Sequence, residues 1–197
     1  MIEYILSSVV PFLLGVISSI MASVIYEHYK AKKSIKPLRF LSGYWLETMP
    51  ASEAGRNYSI GKFQYNRHTR TYTFDGTNYR NDGEAFCTWE STYVYSDLKN
   101  RKIYYIFRAS LKDARHAENY GFGVINIVEN ESGVPIPTSG YYIETKEDAK
   151  PYSHSMERLE KVAMDLNVKH GKESVGSFHS QLIKKLHARQ ESLKIGS

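Results

Sequence analysis

Residues 102–109, KIYYIFRA, decide the fold of this chain. Ile103, Tyr105 and Phe107 fall on one side of an extended backbone, and Tyr104, Ile106 and Arg108 on the other, because side chains alternate with period two in a strand. The same reading spreads outward. In 119–129, Tyr120, Phe122, Val124 and Val128 oppose Gly121, Gly123, Ile125 and Ile127. Glycines along one strand face allow tight curvature or close approach of another group. Both faces are apolar and aromatic, which is expected where one of them lines a cavity.

Short runs of this kind fill the chain from Leu41 to Glu144. All 16 tyrosines except Tyr4, Tyr26 and Tyr29 lie between Tyr44 and Tyr152, and aromatic and β-branched residues favour strands. Strands are predicted over 43–49, 57–66, 69–75, 83–95, 102–109, 119–129 and 138–145, with an eighth near 151–156. The turn signals between them are Asn66 to His68, Asp75-Gly76, Asn81 to Gly83, Asp97 to Asn100 and Glu131 to Gly133. Closely spaced strands without intervening helices predict an up-and-down antiparallel barrel of about eight strands.

After Pro151 the period becomes helical. Met156, Leu159, Ala163 and Leu166 share a face, with Glu157 and Glu160 near the start and Gly171 beyond the end. A second helix over 177–192 places Phe178, Leu182 and Leu186 together, opposite Lys184, Lys185 and Arg189. Both are expected to pack on the barrel, over an end or a seam.

The amino-terminal part differs in kind. Tyr4–Tyr26 contains no charged residue and as a helix would extend roughly 34 Å, enough to cross a hydrocarbon core of ~30 Å. His28, Lys30, Lys32, Lys33, Lys36 and Arg39 follow it, and no Lys or Arg precedes it. A secretory signal carries its charge before a shorter apolar core, so an anchor is expected instead. Basic residues stay on the cytoplasmic side, which predicts a single span with its amino end outside and the remainder in the cytoplasm. Gly15, Ser19 and Ser23 recur every fourth position, a spacing that lets spans approach each other closely. Pro11 is expected to kink the outer end, and Pro37 to end the helix. Three regions result: an anchor over 1–27, a basic linker over 28–40, and a barrel domain with carboxyl-terminal helices over 41–197.

The net charge of +5 suits anionic lipid or a phosphate-bearing ligand and is too mild for a nucleic-acid polymer. A single cysteine, Cys87, excludes an internal disulfide. No phosphate-cradling loop, zinc-binding H-E-x-x-H or nucleophile elbow occurs, and the 7 histidines have no ligand spacing. Neither an enzyme nor a bound metal or cofactor is expected.

An anchor, a basic junction and a tyrosine-rich barrel together resemble the transmembrane β-barrel effectors of cyclic-oligonucleotide antiphage signalling (CBASS), the SMODS-associated β-strand-rich class. The residues carrying the resemblance are Tyr4–Tyr26, His28-Tyr-Lys-Ala-Lys-Lys33, Phe40-Leu-Ser-Gly-Tyr-Trp-Leu-Glu47 and Ile103-Tyr-Tyr-Ile-Phe-Arg-Ala109. Members of that class usually have two spans, and one is found here. The Gly43-Tyr-Trp45 opening is also similar to the G-x-W of lipocalins, whose Trp closes the barrel floor. The resemblance implies a bacterial inner-membrane effector, working beside a nucleotidyltransferase that makes a cyclic dinucleotide. The barrel would bind that messenger, protomers would assemble, and the clustered anchors would breach the membrane and kill the infected cell. A sister arrangement has the messenger hold the effector quiet. Such a ligand needs stacking planes and cations, for which Tyr72, Tyr79, Trp89, Tyr105, Tyr142, Arg108 and Lys62 are the expected residues. The rival expectations are an anchored lipocalin-like carrier of a lipid or other apolar ligand, and a purely structural interaction domain.

Overall fold

The computed structural model describes residues 2–35, 40–49, 57–66, 69, 71–112, 118–145, 150–171 and 174–195. They form two units, Met1–Arg39 and Phe40–Ser197.

The first unit is one helix, α1 (Ile2–Ile35), continuous through Pro11. Its described side chains are those of 11–26 and Tyr29. Phe12, Leu13, Leu14, Val16, Ile17, Ile20, Met21, Val24 and Ile25 are all exposed, so apolar groups face outward around the whole circumference. Gly15, Ser19 and Ser23 are exposed too and share one stripe. Among the described residues no helix is long and apolar enough to cross a membrane. The side chains of Tyr4–Val10, of the basic residues His28 to Arg39, and Pro37 itself lie outside the described residues. The backbone is helical to Ile35, so much of the stretch expected to be a linker prolongs α1.

The second unit is a closed antiparallel barrel. Its strands are β1 (Gly43–Thr48), β2 (Tyr58–Asn66), β3 (Thr71–Tyr79), β4 (Ala85–Asp97), β5 (Lys102–Leu111), β6 (Glu118–Glu129), β7 (Pro135–Glu144) and β8 (Tyr152–Arg158). Each pairs with the next, and β1 pairs with β8 through Trp45↔Arg158, Leu46↔Glu157, Glu47↔Met156 and Thr48↔Ser155. Closure leaves no free sheet edge.

Three expected boundaries move, each for a physical reason. Asp75-Gly76 lies inside β3. Gly76 is needed there for clearance, because a Cβ at that position would lie 2.5 Å from Trp89 Cζ2 and 2.8 Å from the Ile60 carbonyl oxygen. β7 begins at Pro135, and Pro137 is accommodated at a bulge in β7, where Thr138 is skipped between the pairs Asn126↔Ser139 and Ile127↔Pro137. Met156 belongs to β8 and faces the interior, so the first of the two carboxyl-terminal helices, α2 (Leu159–Asp165), starts later than its apolar spacing suggests.

Alternation sorts the strands as expected for β5: Ile103, Tyr105 and Phe107 are buried while Ile106 is exposed. Gly121 and Gly123 on β6 face those rings. A Cβ at Gly123 would lie 2.1 Å from Tyr105 Cζ, and one at Gly121 2.3 Å from Phe107 Cζ. Large rings on β5 thus lie across a groove left by β6.

The carboxyl-terminal helices cover the outer face of β1 to β3. Leu46, Tyr58, Ile60 and Tyr79 pack there against Leu159, Val162 and Ala163 of α2 and Phe178, Leu182 and Ile183 of α3 (Val175–Ile195). Gln190 of α3 accepts a hydrogen bond from the Tyr58 hydroxyl at 2.9 Å.

Candidate ligand cavity inside the barrel

The barrel is filled at one end and hollow at the other. At the filled end, Trp45 is 1 % exposed. The Arg158 guanidinium lies over its ring, 4.1 Å from the centroid, and the indole N–H donates to the Leu41 carbonyl at 2.8 Å. Arg158 itself donates to the carbonyls of Ser42 and Phe40. One cation therefore ties the segment entering β1 to the end of β8 and seals the floor. Above it Phe63 stacks flat on Phe74, with centroids 3.9 Å apart and planes 5° from parallel. Trp89 and Tyr105 meet Phe74 edge-on.

Beyond these rings lies a cavity of about 370 Å³, within the usual range for small-molecule sites. Trp89, Phe107, Tyr105, Tyr142 and Tyr152 provide aromatic walls. Asn57, Asn78 and Asn119 add amides, Glu47 and Glu144 add carboxyl groups, and Cys87 adds a thiol. No Lys or Arg is among its described lining residues. The mouth is the rim at the ends of β1, β2, β5, β6, β7 and β8, where Met49, Asn57, Leu111, Asn119, Glu144 and Tyr152 lie at or beside those ends. Among the described residues no group of His, Cys, Asp and Glu could hold a metal ion.

The polar groups of the cavity are linked. The Trp89 indole N–H is shared between Ser59 Oγ at 3.1 Å and Asn78 Oδ1 at 3.0 Å. Ser59 in turn hydrogen-bonds the Glu47 carboxyl group. Glu47 is 4 % exposed, and its Oε1 has no partner. Burial pushes its pKa up to about 8, against the smaller downward pull of Ser59. Burial, with the Glu47 carboxylate nearby, raises the Tyr105 phenol well above its ordinary value. Tyr142 is raised by burial and then by Glu144 and Glu47; its hydroxyl donates to Met49 Sδ at 3.3 Å. His154 on β8 is buried with neither ring nitrogen partnered, and burial alone lowers it to about 4.

The residues expected at a binding site divide three ways. Trp89, Tyr105 and Tyr142 line the cavity together. Tyr72 also points inward, but in the filled half, beside Tyr65. Tyr79 faces the helices, its hydroxyl 3.3 Å from His179 Nδ1. Lys62 and Arg108 lie on the outer face, along a groove of about 550 Å³ over β2 to β5. There Lys62 sits over the Tyr44 ring, and Arg108 is paired with Glu90 and Glu118. The barrel wall separates both cations from the aromatic cavity. Sequence reasoning missed Glu47, Asn78, Asn119 and Glu144. The Glu47 signal was available, since it shares strand parity with Trp45, which puts a carboxyl group on the buried face.

The buried acids and imidazoles give stability a definite pH profile. Glu47 keeps its proton to about pH 8 when folded, against roughly 4.3 unfolded, so its contribution falls as pH rises through that interval. His154 and His179 are lowered to about 4, against roughly 6.5 unfolded; their contribution is full above that value and is lost as pH falls. Two imidazoles outweigh one carboxyl on the acid side, and the carboxyl acts alone on the alkaline side. Thermal stability should therefore peak at about pH 6.5, and Glu47→Gln should flatten the alkaline limb and steepen the acid one. A wild-type melting temperature that kept climbing from neutral pH to pH 9 would contradict this assignment.

Compared with known proteins, the chain matches no family model and no curated sequence.

Proposed function

We propose that this chain is a membrane-anchored effector whose cytoplasmic barrel binds a cyclic dinucleotide, and that the ligand state controls clustering of the anchors in the bacterial inner membrane during antiphage defence. The observation that carries this reading is the lining of the barrel cavity. Rings of Trp89, Phe107, Tyr105, Tyr142 and Tyr152 offer stacking surfaces, while Asn57, Asn78, Asn119 and Glu47 offer hydrogen-bonding groups between the mouth and the inner end of the cavity. Stacking contributes roughly 1–3 kcal/mol per base, and amides and carboxylates pair with base edges. A base suits this interior. Phosphates do not, since the described lining holds two carboxyl groups and no cation; they belong at the mouth, beside Lys112, whose backbone N–H bonds the Phe86 carbonyl at the rim.

Two further features support an effector. An α-helix apolar around its whole circumference needs lipid or other helices to cover it, and the described part of α1 is of that kind. On the outer wall, Tyr95, Tyr104 and Phe122 stack in sequence across β4, β5 and β6, with exposed Tyr93, Ile106 and Tyr141 beside them. An exposed apolar patch of this kind suits contact between protomers.

The alternative is an anchored lipocalin-like carrier of a lipid or other apolar ligand, favoured by the Trp45–Arg158 floor and the one-ended cavity. The buried Glu47 weighs against it, because an acyl chain would leave its Oε1 unpaired. Calorimetric titration of the full chain in detergent decides. Cyclic dinucleotides should bind in the micromolar range or tighter and fatty acids should give no heat; the reverse pattern identifies the carrier.

A further inference from the structure

The proposed base pocket has a directional chemistry of its own. Glu47 lies below the ring walls with Oε1 unpartnered and 4 % of its surface exposed. Its carboxyl group is fixed from behind, since Ser59, which bonds it, also accepts the Trp89 indole N–H. Asn78 Oδ1 accepts from that same N–H. Once the carboxyl group is ionised, at a pH above about 8, Glu47 Oε1 is an open acceptor facing the cavity. A buried acceptor without a partner is costly, and the cost is removed by a ligand that brings a donor.

We propose that the cavity selects a guanine-type base, whose ring N–H and exocyclic amino group both donate to Glu47 while its face rests on Trp89 and Tyr142. This inference rests on the cyclic-dinucleotide reading and names the base that reading leaves open. Adenine presents a ring acceptor beside its amino group, so above about pH 8 it would set a lone pair against the ionised carboxylate. Hypoxanthine keeps the ring N–H and lacks the amino group, so it retains one of the two bonds. The other titratable groups facing this chamber are Tyr105 from β5, Cys87 from β4, Glu144 and Tyr142 from β7, and Tyr152 and His154 from β8. None of them carries a positive charge at neutral pH that would replace the donor edge, His154 being held neutral by burial. Because two donors require an ionised carboxylate, guanine binding should strengthen as pH rises from 6.5 to 8.5.

The test is calorimetric titration of the full chain in detergent with cyclic di-GMP, cyclic di-AMP and cyclic di-IMP. At pH 8.5, where Glu47 is ionised, cyclic di-GMP should bind about ten- to a hundred-fold more tightly than cyclic di-AMP, as expected of a bidentate contact, with cyclic di-IMP between them. Glu47→Gln, which keeps the volume and a hydrogen bond to Ser59, should erase the preference of guanine over adenine while the thermal melt stays cooperative. Equal binding of all three ligands by the wild type overturns the proposal and leaves the cyclic-dinucleotide reading intact; that comparison needs no variant. Retention of the guanine preference in a folded Glu47→Gln protein also overturns it. Failure of all three to bind overturns both readings together.

Discussion

Trp45→Ala should lower the melting temperature of the barrel by about 10 °C or more. The ring is almost wholly buried, and truncating such a residue costs about 3–5 kcal/mol, a large fraction of the roughly 5–15 kcal/mol that holds a domain together. More than volume is lost. The Arg158 guanidinium would face a void in place of a ring, and the Leu41 carbonyl would lose its donor. Trp45→Phe separates these contributions: it keeps most of the packing and the aromatic face but removes the indole N–H, and should cost about 1 kcal/mol. Thermal melts of both variants read the difference directly. If the Ala variant melted within about 2 °C of the wild type, less than 1 kcal/mol at this chain length, the floor would not be the keystone of the barrel.

Ile17→Lys combined with Ile20→Lys should move the protein from the membrane fraction to the soluble fraction. Both side chains are exposed on α1. Charged residues at the centre of a span cost about 2.5–3.5 kcal/mol each, so the pair removes roughly 5–7 kcal/mol of insertion energy. Fractionation of cells expressing the double variant measures it, with Ile17→Leu and Ile20→Val as the conservative control. The Lys pair should also abolish killing, while the detergent-free protein still melts like the wild-type barrel. Retention of the Lys variant on membranes would remove the anchor from the proposal.

Much of the barrel was legible because period-two alternation is a local property. Ile103, Tyr105 and Phe107 declare an inner face within six residues, and Gly121 and Gly123 declare a place where something approaches closely. The errors arose where one residue type serves two purposes. Asp75-Gly76 reads as a turn, yet Gly76 makes room for Trp89, a partner on another strand. Met156 fits a helical spacing by coincidence, and only its pairing with Glu47 places it in β8.

The site was half legible for a related reason. Lys62 sits between Gly61 and Phe63, and Arg108 follows Phe107, so strand parity alone separates both cations from the inward rings. Choosing residues by the chemistry a phosphate needs overrode that rule. Which tyrosines border the hollow and which are packed solid was beyond local reading. It depends on how far each stave runs past the Phe63–Phe74 stack, a tertiary property. Glu47 shows the opposite case, since a lone acid among buried neighbours is visible in sequence but becomes informative only once the surrounding volume proves empty.

The seam between β1 and β8 joins residues 45–48 to residues 155–158. During synthesis the chain therefore leaves the ribosome as an open ribbon with two naked borders. The first stave waits for the last, and the cylinder shuts only after residues 152–158 have emerged. Such distant pairing is slow to form, so the nascent protein carries a vulnerable rim through most of its translation.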